Sequence, residues 1–137
     1  MVDHSLYVHI PFCRHRCGYC DFNTYAGLDS LVPDYVNAVC AEMSYLHSRL
    51  EVVLPVHTVF LGGGTPSLLP AGEVEKILAT IHACFDLDSD AEITLEANPG
   101  TVSVDYLRSL RSLGVNRLSL GMQSASPEEL RLLERQH

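Results

Sequence analysis

Hydrophobic positions along the chain switch repeatedly between two periods. Residues 5–10 form a short, apolar, β-branched run closed by Pro11, which predicts a strand. From Pro33 onward, Val36, Val39, Cys40, Met43, Leu46 and Leu50 recur at helical spacing, so that segment predicts a helix with one buried face. Pro33 sits where a helix opens and the missing N–H costs nothing. Residues 57–61 predict a second strand, and Pro70 begins a helix with Val74, Ile77, Leu78, Ile81 and Phe85 on one face. Residues 92–97 predict a third strand. The helix after it carries Val104, Leu107 and Leu110, with Gly114 as its left-handed cap. Residues 116–120 predict a fourth strand, and Ser126-Pro127-Glu128-Glu129 is a capping box that opens a fourth helix.

Strands alternating with helices of this length predict an α/β chain of four βα units, with a parallel sheet and right-handed crossovers. Four unusual segments each follow a predicted strand directly: residues 13–20, 62–66, 96–100 and 121–124. In a parallel sheet the C-terminal strand ends share one rim, so the four segments are predicted to be neighbours in space.

Composition narrows the class. With 137 residues, 47 % hydrophobic and 19 % charged, the chain reads as globular and at most one domain. A net charge of −8 argues against a nucleic-acid partner or an anionic lipid surface. No apolar run approaches the ~18 residues of a transmembrane segment, and Met1-Val2-Asp3-His4 has no secretory pattern. Five cysteines, an odd count, fit a reducing, cytoplasmic setting. Cys40 and Cys84 fall in helical stripes and read as small core residues; His47 and His82 lie on helices away from any motif.

The remaining cysteines carry the chemistry. Cys13, Cys17 and Cys20 stand at C-x3-C-x2-C spacing, and three thiolates on one short loop can converge on one metal centre. A zinc site with His9 or His15 as fourth ligand, an iron–sulfur cluster and a chance grouping all satisfy that spacing. Gly62-Gly63-Gly64-Thr65-Pro66 lets backbone approach a ligand closely, with carbonyls open to an ammonium. It lacks the lysine ending of a P-loop, and it also reads as a plain turn. Glu96 can accept from hydroxyls or face solvent. Gln123 can donate and accept, and Arg135 can offer a fork to a carboxylate or sit on the surface.

Taken together, Tyr7-Val8-His9-Ile10-Pro11-Phe12-Cys13, Cys17-Gly18-Tyr19-Cys20-Asp21-Phe22-Asn23, the Gly62–Pro66 turn, Glu96-x-Asn98-Pro99-Gly100, the stretch 114–124 and Arg135-Gln136-His137 resemble the radical S-adenosylmethionine (SAM) superfamily. The likeness is to its branch of oxygen-independent coproporphyrinogen III oxidases and HemW-type haem chaperones. It implies a partial (β/α)6 barrel with helices on the outer face, of which residues 1–137 form the N-terminal part, the rest of the barrel and a C-terminal domain being absent. It implies that Cys13, Cys17 and Cys20 hold a [4Fe–4S] cluster whose open iron is chelated by SAM. It implies that Tyr7, Tyr19, Gly63, Gly64, Thr65, Glu96, Gln123 and Arg135 line one or two SAM sites. The partners implied are an electron donor and haem or a porphyrinogen. The resemblance implies haem binding and delivery in the chaperone branch, and oxidative decarboxylation to protoporphyrinogen in the oxidase branch. Two departures stand out. The oxidases carry a further cysteine just after the third, where this chain has Asp21-Phe22, as the chaperones do. The family usually has glycine before the last arginine, where this chain has Glu134.

Overall fold

A computed structural model describes residues 4–135, which leaves Gln136 and His137 of the last motif outside the described residues. The main sheet has four strands, all parallel: β1 (His4–Ile10), β4 (Pro55–Gly63), β5 (Asp86–Ala97) and β6 (Arg117–Leu120), in the order β1-β4-β5-β6. Two further strands of two residues each, β2 (Phe12–Cys13) and β3 (Tyr25–Ala26), pair in parallel at the two ends of the cysteine loop. The helices are α1 (Val32–Arg49), α2 (Ala71–Cys84), α3 (Val104–Ser112) and α4 (Pro127–Leu132). The four predicted βα units are therefore present in the predicted order, and short 3-10 turns precede α1 and lead into α2 and α3.

Alternation decides which face is covered. Val8 and Ile10, Val59 and Leu61, and Ile93 and Leu95 point to one side and form a single core with Val36 of α1, four apolar residues of α2 and Leu110 of α3. Tyr7, His9, Phe60 and Glu96 point to the other side and are exposed or half-buried. A bulge at His57 keeps both Val56 and Val59 inward, because the register of β4 shifts there against both neighbours. Cys84 is buried in the core and Cys40 is packed against it, as their helical spacing predicts.

β5 starts six residues before its predicted position, at Asp86 rather than residue 92. Asp-Leu-Asp-Ser-Asp has poor strand propensity. Asp86 and Leu87 nonetheless pair with Pro55 and Val56, and the ladder resumes only at Glu92 opposite Thr58. Tertiary pairing overrides local preference here, and the Asp90 N–H satisfies itself on Asp88 at 3.1 Å.

Two helix ends matter for the site. Gly114 (φ 105°) follows α3, with its N–H on Arg111 and the Val115 N–H on Leu110. This Schellman arrangement recurs after α4, where the Glu134 N–H reaches Arg131 and the Arg135 N–H reaches Leu130 at 2.8 Å. The left-handed position is filled there by Glu134, φ 55°. Glycine is the residue that takes this conformation without strain, so Glu134 holds it at a cost where the resemblance implies glycine.

Candidate functional site

All four segments at the strand ends meet at one rim. They enclose a cavity of about 350 Å³ lined by Cys13, Cys17 and Cys20, by Gly63, Gly64 and Thr65, by Glu96 and Asn98, and by Gly121, Gln123 and Arg135. Tyr19 lines it too. Of the residues singled out in the sequence, Tyr7 and His9 do not line it. Tyr7 lies three residues before the end of β1, roughly 10 Å deeper along the strand, with its ring stacked on Phe60 at 6.2 Å. It is tied to the rim indirectly, by a chain from the Tyr7 hydroxyl to His9 Nδ1 (2.9 Å) and from His9 Nε2 to the Asn23 carbonyl (2.9 Å).

The cysteine loop is held at both ends and in its middle. Tyr25 N–H donates to Pro11 at 2.8 Å, β2 pairs β3, and Cys20 N–H donates to Cys17 at 3.0 Å. The glycine turn locks onto the start of this loop. Gly64 N–H donates to Ile10 and Thr65 N–H to Phe12, both at 2.8 Å. Gly63, at φ 118°, donates its N–H to Glu96 Oε2 at 2.9 Å. The glycines therefore allow close approach of one part of the chain to another: a Cβ on Gly63 would meet the His9 ring at 2.5 Å.

Each thiol has a side-chain partner. Thr65 Oγ1 donates to Cys13 Sγ at 3.7 Å, Arg135 Nη1 to Cys17 Sγ at 3.5 Å, and Thr24 Oγ1 lies 3.7 Å from Cys20 Sγ. Arg135 also donates through Nη2 to Asn98 Oδ1 (2.7 Å) and to the Gly121 carbonyl. Its Nε is buried with no partner among the described residues. Gln123 holds a left-handed backbone, φ 61°, a strained conformation for a side chain of this kind and one that clusters at ligand sites. Partial burial, then the Glu96 carboxylate, raise the Tyr7 hydroxyl above its ordinary value. For Tyr19 burial again raises it, Arg135 pulls it down and the Cys17 thiol pushes it up. The net rise leaves both hydroxyls protonated, and so donors, at neutral pH.

Among the described residues, no three His, Cys, Asp or Glu side chains are gathered as one metal ion requires. Both nitrogens of His9 are engaged within the protein, and His15 lies 3.7 Å from Glu134. His9 could complete a metal site only by giving up one of its two contacts. All three thiols line the cavity, those of Cys13 and Cys17 with a donor on the sulfur and that of Cys20 beside the Thr24 hydroxyl.

Compared with known families, residues 7–137 match the Radical SAM superfamily. The chain belongs to this superfamily. Within it, the chain is 46 % identical to the heme chaperone HemW of Escherichia coli K12 and 44 % identical to that of Mycobacterium tuberculosis H37Rv, in each case over 97 % of this chain and 35 % of the relative. It is 42 % identical to the bovine radical S-adenosyl methionine domain-containing protein 1, mitochondrial. The fold superposes on the radical SAM enzyme coproporphyrinogen III oxidase (HemN) of Escherichia coli with a TM-score of 0.89 and 32 % identity, over 97 % of this chain and 31 % of that one. The chain thus spans about a third of the length of these relatives. Superfamily membership implies an iron–sulfur cluster and SAM, and the thiol arrangement and the orphaned Arg135 Nε fit both.

Asn98 and Thr24 are site residues that sequence reasoning did not single out. Asn98 was visible as the middle of Glu96-x-Asn98-Pro99-Gly100. Nothing local marks Thr24, which reaches Cys20 only because the loop closes.

Glu134 offers a direct test of the helix end that carries Arg135. Its carboxylate lies 3.0 Å from where a Cβ on Gly18 would stand. Glu134→Gly relieves roughly 1 kcal/mol of left-handed strain and gives up an exposed pair with His15 worth ~0–1 kcal/mol. Urea denaturation is expected to show the variant at least as stable as the parent. A loss of stability would mean that the Glu134 contact with the cysteine loop outweighs the strain.

Proposed function

We propose that this chain carries the cluster- and SAM-binding site of a haem chaperone of the HemW kind. The observation that carries the reading is the meeting of three thiols, the glycine turn, Glu96, Gln123 and Arg135 around one cavity. Cys13, Cys17 and Cys20 would hold a [4Fe–4S] cluster, leaving one iron without a protein ligand. When bound there, cluster and SAM together supply a one-electron reductive cleavage of the sulfonium.

The protein's own residues bind and orient. Glu96 has one oxygen taken by the Gly63 N–H and the other free to accept from a ribose hydroxyl. Gly63 and Gly64 present backbone to the cavity without side chains in the way. Arg135 supplies positive charge at the Cys17 side, and Tyr19 and Gln123 offer polar contacts at the cavity wall.

Chaperone is favoured over oxidase by two observations. Identity is higher to proteins named heme chaperone than to the coproporphyrinogen oxidase. Asp21-Phe22 also stands where the oxidases carry another cysteine. Haem is then the cargo, an external reductant is the electron donor, and the location we propose is the cytoplasm, where an odd number of cysteines stays reduced. Among the described residues no helix is long and apolar enough to cross a membrane.

The deciding experiment is anaerobic reconstitution with iron, sulfide, SAM and reductant, followed by two assays. Haem titration read by visible absorption is expected to saturate at a defined stoichiometry. Coproporphyrinogen III is expected to remain unchanged. Multiple turnovers to a decarboxylated product would replace the chaperone reading with that of an oxidase.

A further inference from the structure

The donors on the cluster thiols are not independent of one another. Arg135 Nη1 donates to Cys17 Sγ (3.5 Å) while its Nη2 donates to Asn98 Oδ1 (2.7 Å). Asn98 Nδ2 in turn donates to Thr65 Oγ1 (3.2 Å), whose own proton goes to Cys13 Sγ (3.7 Å). One closed line therefore runs from Cys17 through Arg135, Asn98 and Thr65 to Cys13. Its members come from the ends of two different strands and from beyond α4. Thr65 is buried, and the Asn98 amide accepts from Arg135, which also donates to the Gly121 carbonyl, and donates to Thr65, so one side chain contacts both thiol donors. Thr24, also buried, stands against the third sulfur.

We propose that Asn98 is the positioning residue of this site: it aims Arg135 and Thr65 at two different thiols, and these donors, with Thr24 on the third, raise the one-electron reduction potential of the cluster. The inference rests on the proposed cluster. Adding an electron increases negative charge on the iron and sulfur atoms, so N–H and O–H donors and a guanidinium favour the reduced form. The couple is the uptake of one electron from an external low-potential reductant, with no bond made or broken. Asn98 acts only through its neighbours. An aspartate there keeps the acceptor for Arg135 but has no N–H for Thr65, and it draws the Thr65 proton away from Cys13.

The test is a mediated redox titration of the anaerobically reconstituted chain, with the reduced cluster read by its electron paramagnetic resonance signal. Thr65→Val keeps shape and removes the hydroxyl. At the poise where the parent is half reduced, its ratio of reduced to oxidised cluster should fall about tenfold, which is about 59 mV for one electron. Thr65→Ser should restore the parent value. Asn98→Asp should fall in the same direction. Adding Asn98→Asp to Thr65→Val should lower the ratio no further, because both act through one hydroxyl.

A further fall in the double variant would overturn the assignment, since the aspartate would then act by its charge alone. Parent potentials in both Thr65→Val and Asn98→Asp, at equal iron and sulfide content, would also overturn it. If Thr65→Val fails to take up the cluster, Asn98→Asp, which touches neither the thiols nor the loop backbone, decides. A parent chain that loads no cluster defeats the proposed function and this inference together. A loaded parent with unmoved variants defeats this inference alone.

Discussion

Cys13→Ala, Cys17→Ala and Cys20→Ala should each abolish cluster formation, while Cys40→Ala and Cys84→Ala should leave it intact. The first three line the cavity, and one lost thiolate leaves a second iron without a protein ligand. The other two belong to the helix layer: Cys84 is buried among core residues and the Cys40 thiol faces the Lys76 carbonyl at 3.8 Å. Replacing them removes one sulfur from apolar packing, a cost of about 1–2 kcal/mol, and touches nothing at the rim. Iron and sulfide analysis of the five variants after anaerobic reconstitution separates the two groups. Retention of a full cluster in any one of the first three would show that its thiol is not a ligand. Loss in Cys40→Ala or Cys84→Ala without unfolding would bring a helix cysteine into the site.

The second large effect is at the glycine turn. A Cβ on Gly64 would stand 2.6 Å from the Phe12 carbonyl oxygen and 3.0 Å from that of Ile10. These are backbone atoms, and the same carbonyls accept the Thr65 and Gly64 N–H groups. No rotamer change relieves such a contact; the end of β1 and the start of the cysteine loop must move instead. Gly64→Ala should therefore cost about 3 kcal/mol or more, a large share of the ~5–15 kcal/mol that holds an ordinary domain. It should also impair cluster uptake, because Cys13 immediately follows the displaced carbonyl. Gly72→Ala is the matched control. It lies in the first turn of α2 with nothing within 4 Å of the added methyl. Its expected effect is a gain of up to ~1 kcal/mol. Urea denaturation of both variants measures the difference, and equal stabilities would mean that the turn yields more easily than its contacts suggest.

The glycine turn also shows where local reading reaches its end. Three glycines after a strand announce that something passes close by. Which partner passes is not written in them. In the folded chain the close partners are the His9 ring at Gly63 and the Phe12 carbonyl at Gly64, so the turn serves first to seat the cysteine loop and second to border the cavity. Arg135 behaves likewise. Its residue type predicts a fork for a carboxylate, whereas its terminal nitrogens are taken up by Asn98, Gly121 and Cys17. Tyr7 shares a strand face with His9 as alternation requires, yet lies too far from the strand end to line the cavity.

Sequence by itself determined the order of the four βα units, the helix caps at Ser126 and Gly114, the buried stripe of α2, the core-facing side of α1 from Val36 to Met43 but not Leu46, which is exposed, and the convergence of four motifs on one rim. These follow from periodicity, from cap chemistry and from the common direction of parallel strands, all of which are local or topological. Tertiary structure alone decided the early start of β5, the β2–β3 pairing that closes the loop, the left-handed backbone of Glu134 and Gln123, and the line of side chains that joins Cys17 to Cys13 through Asn98. The pairings and the side-chain line depend on distances between residues far apart in the chain, and the two left-handed residues are of types that do not announce that backbone. A hydrogen bond is made or lost over a few tenths of an ångström, and no spacing along the sequence carries that information.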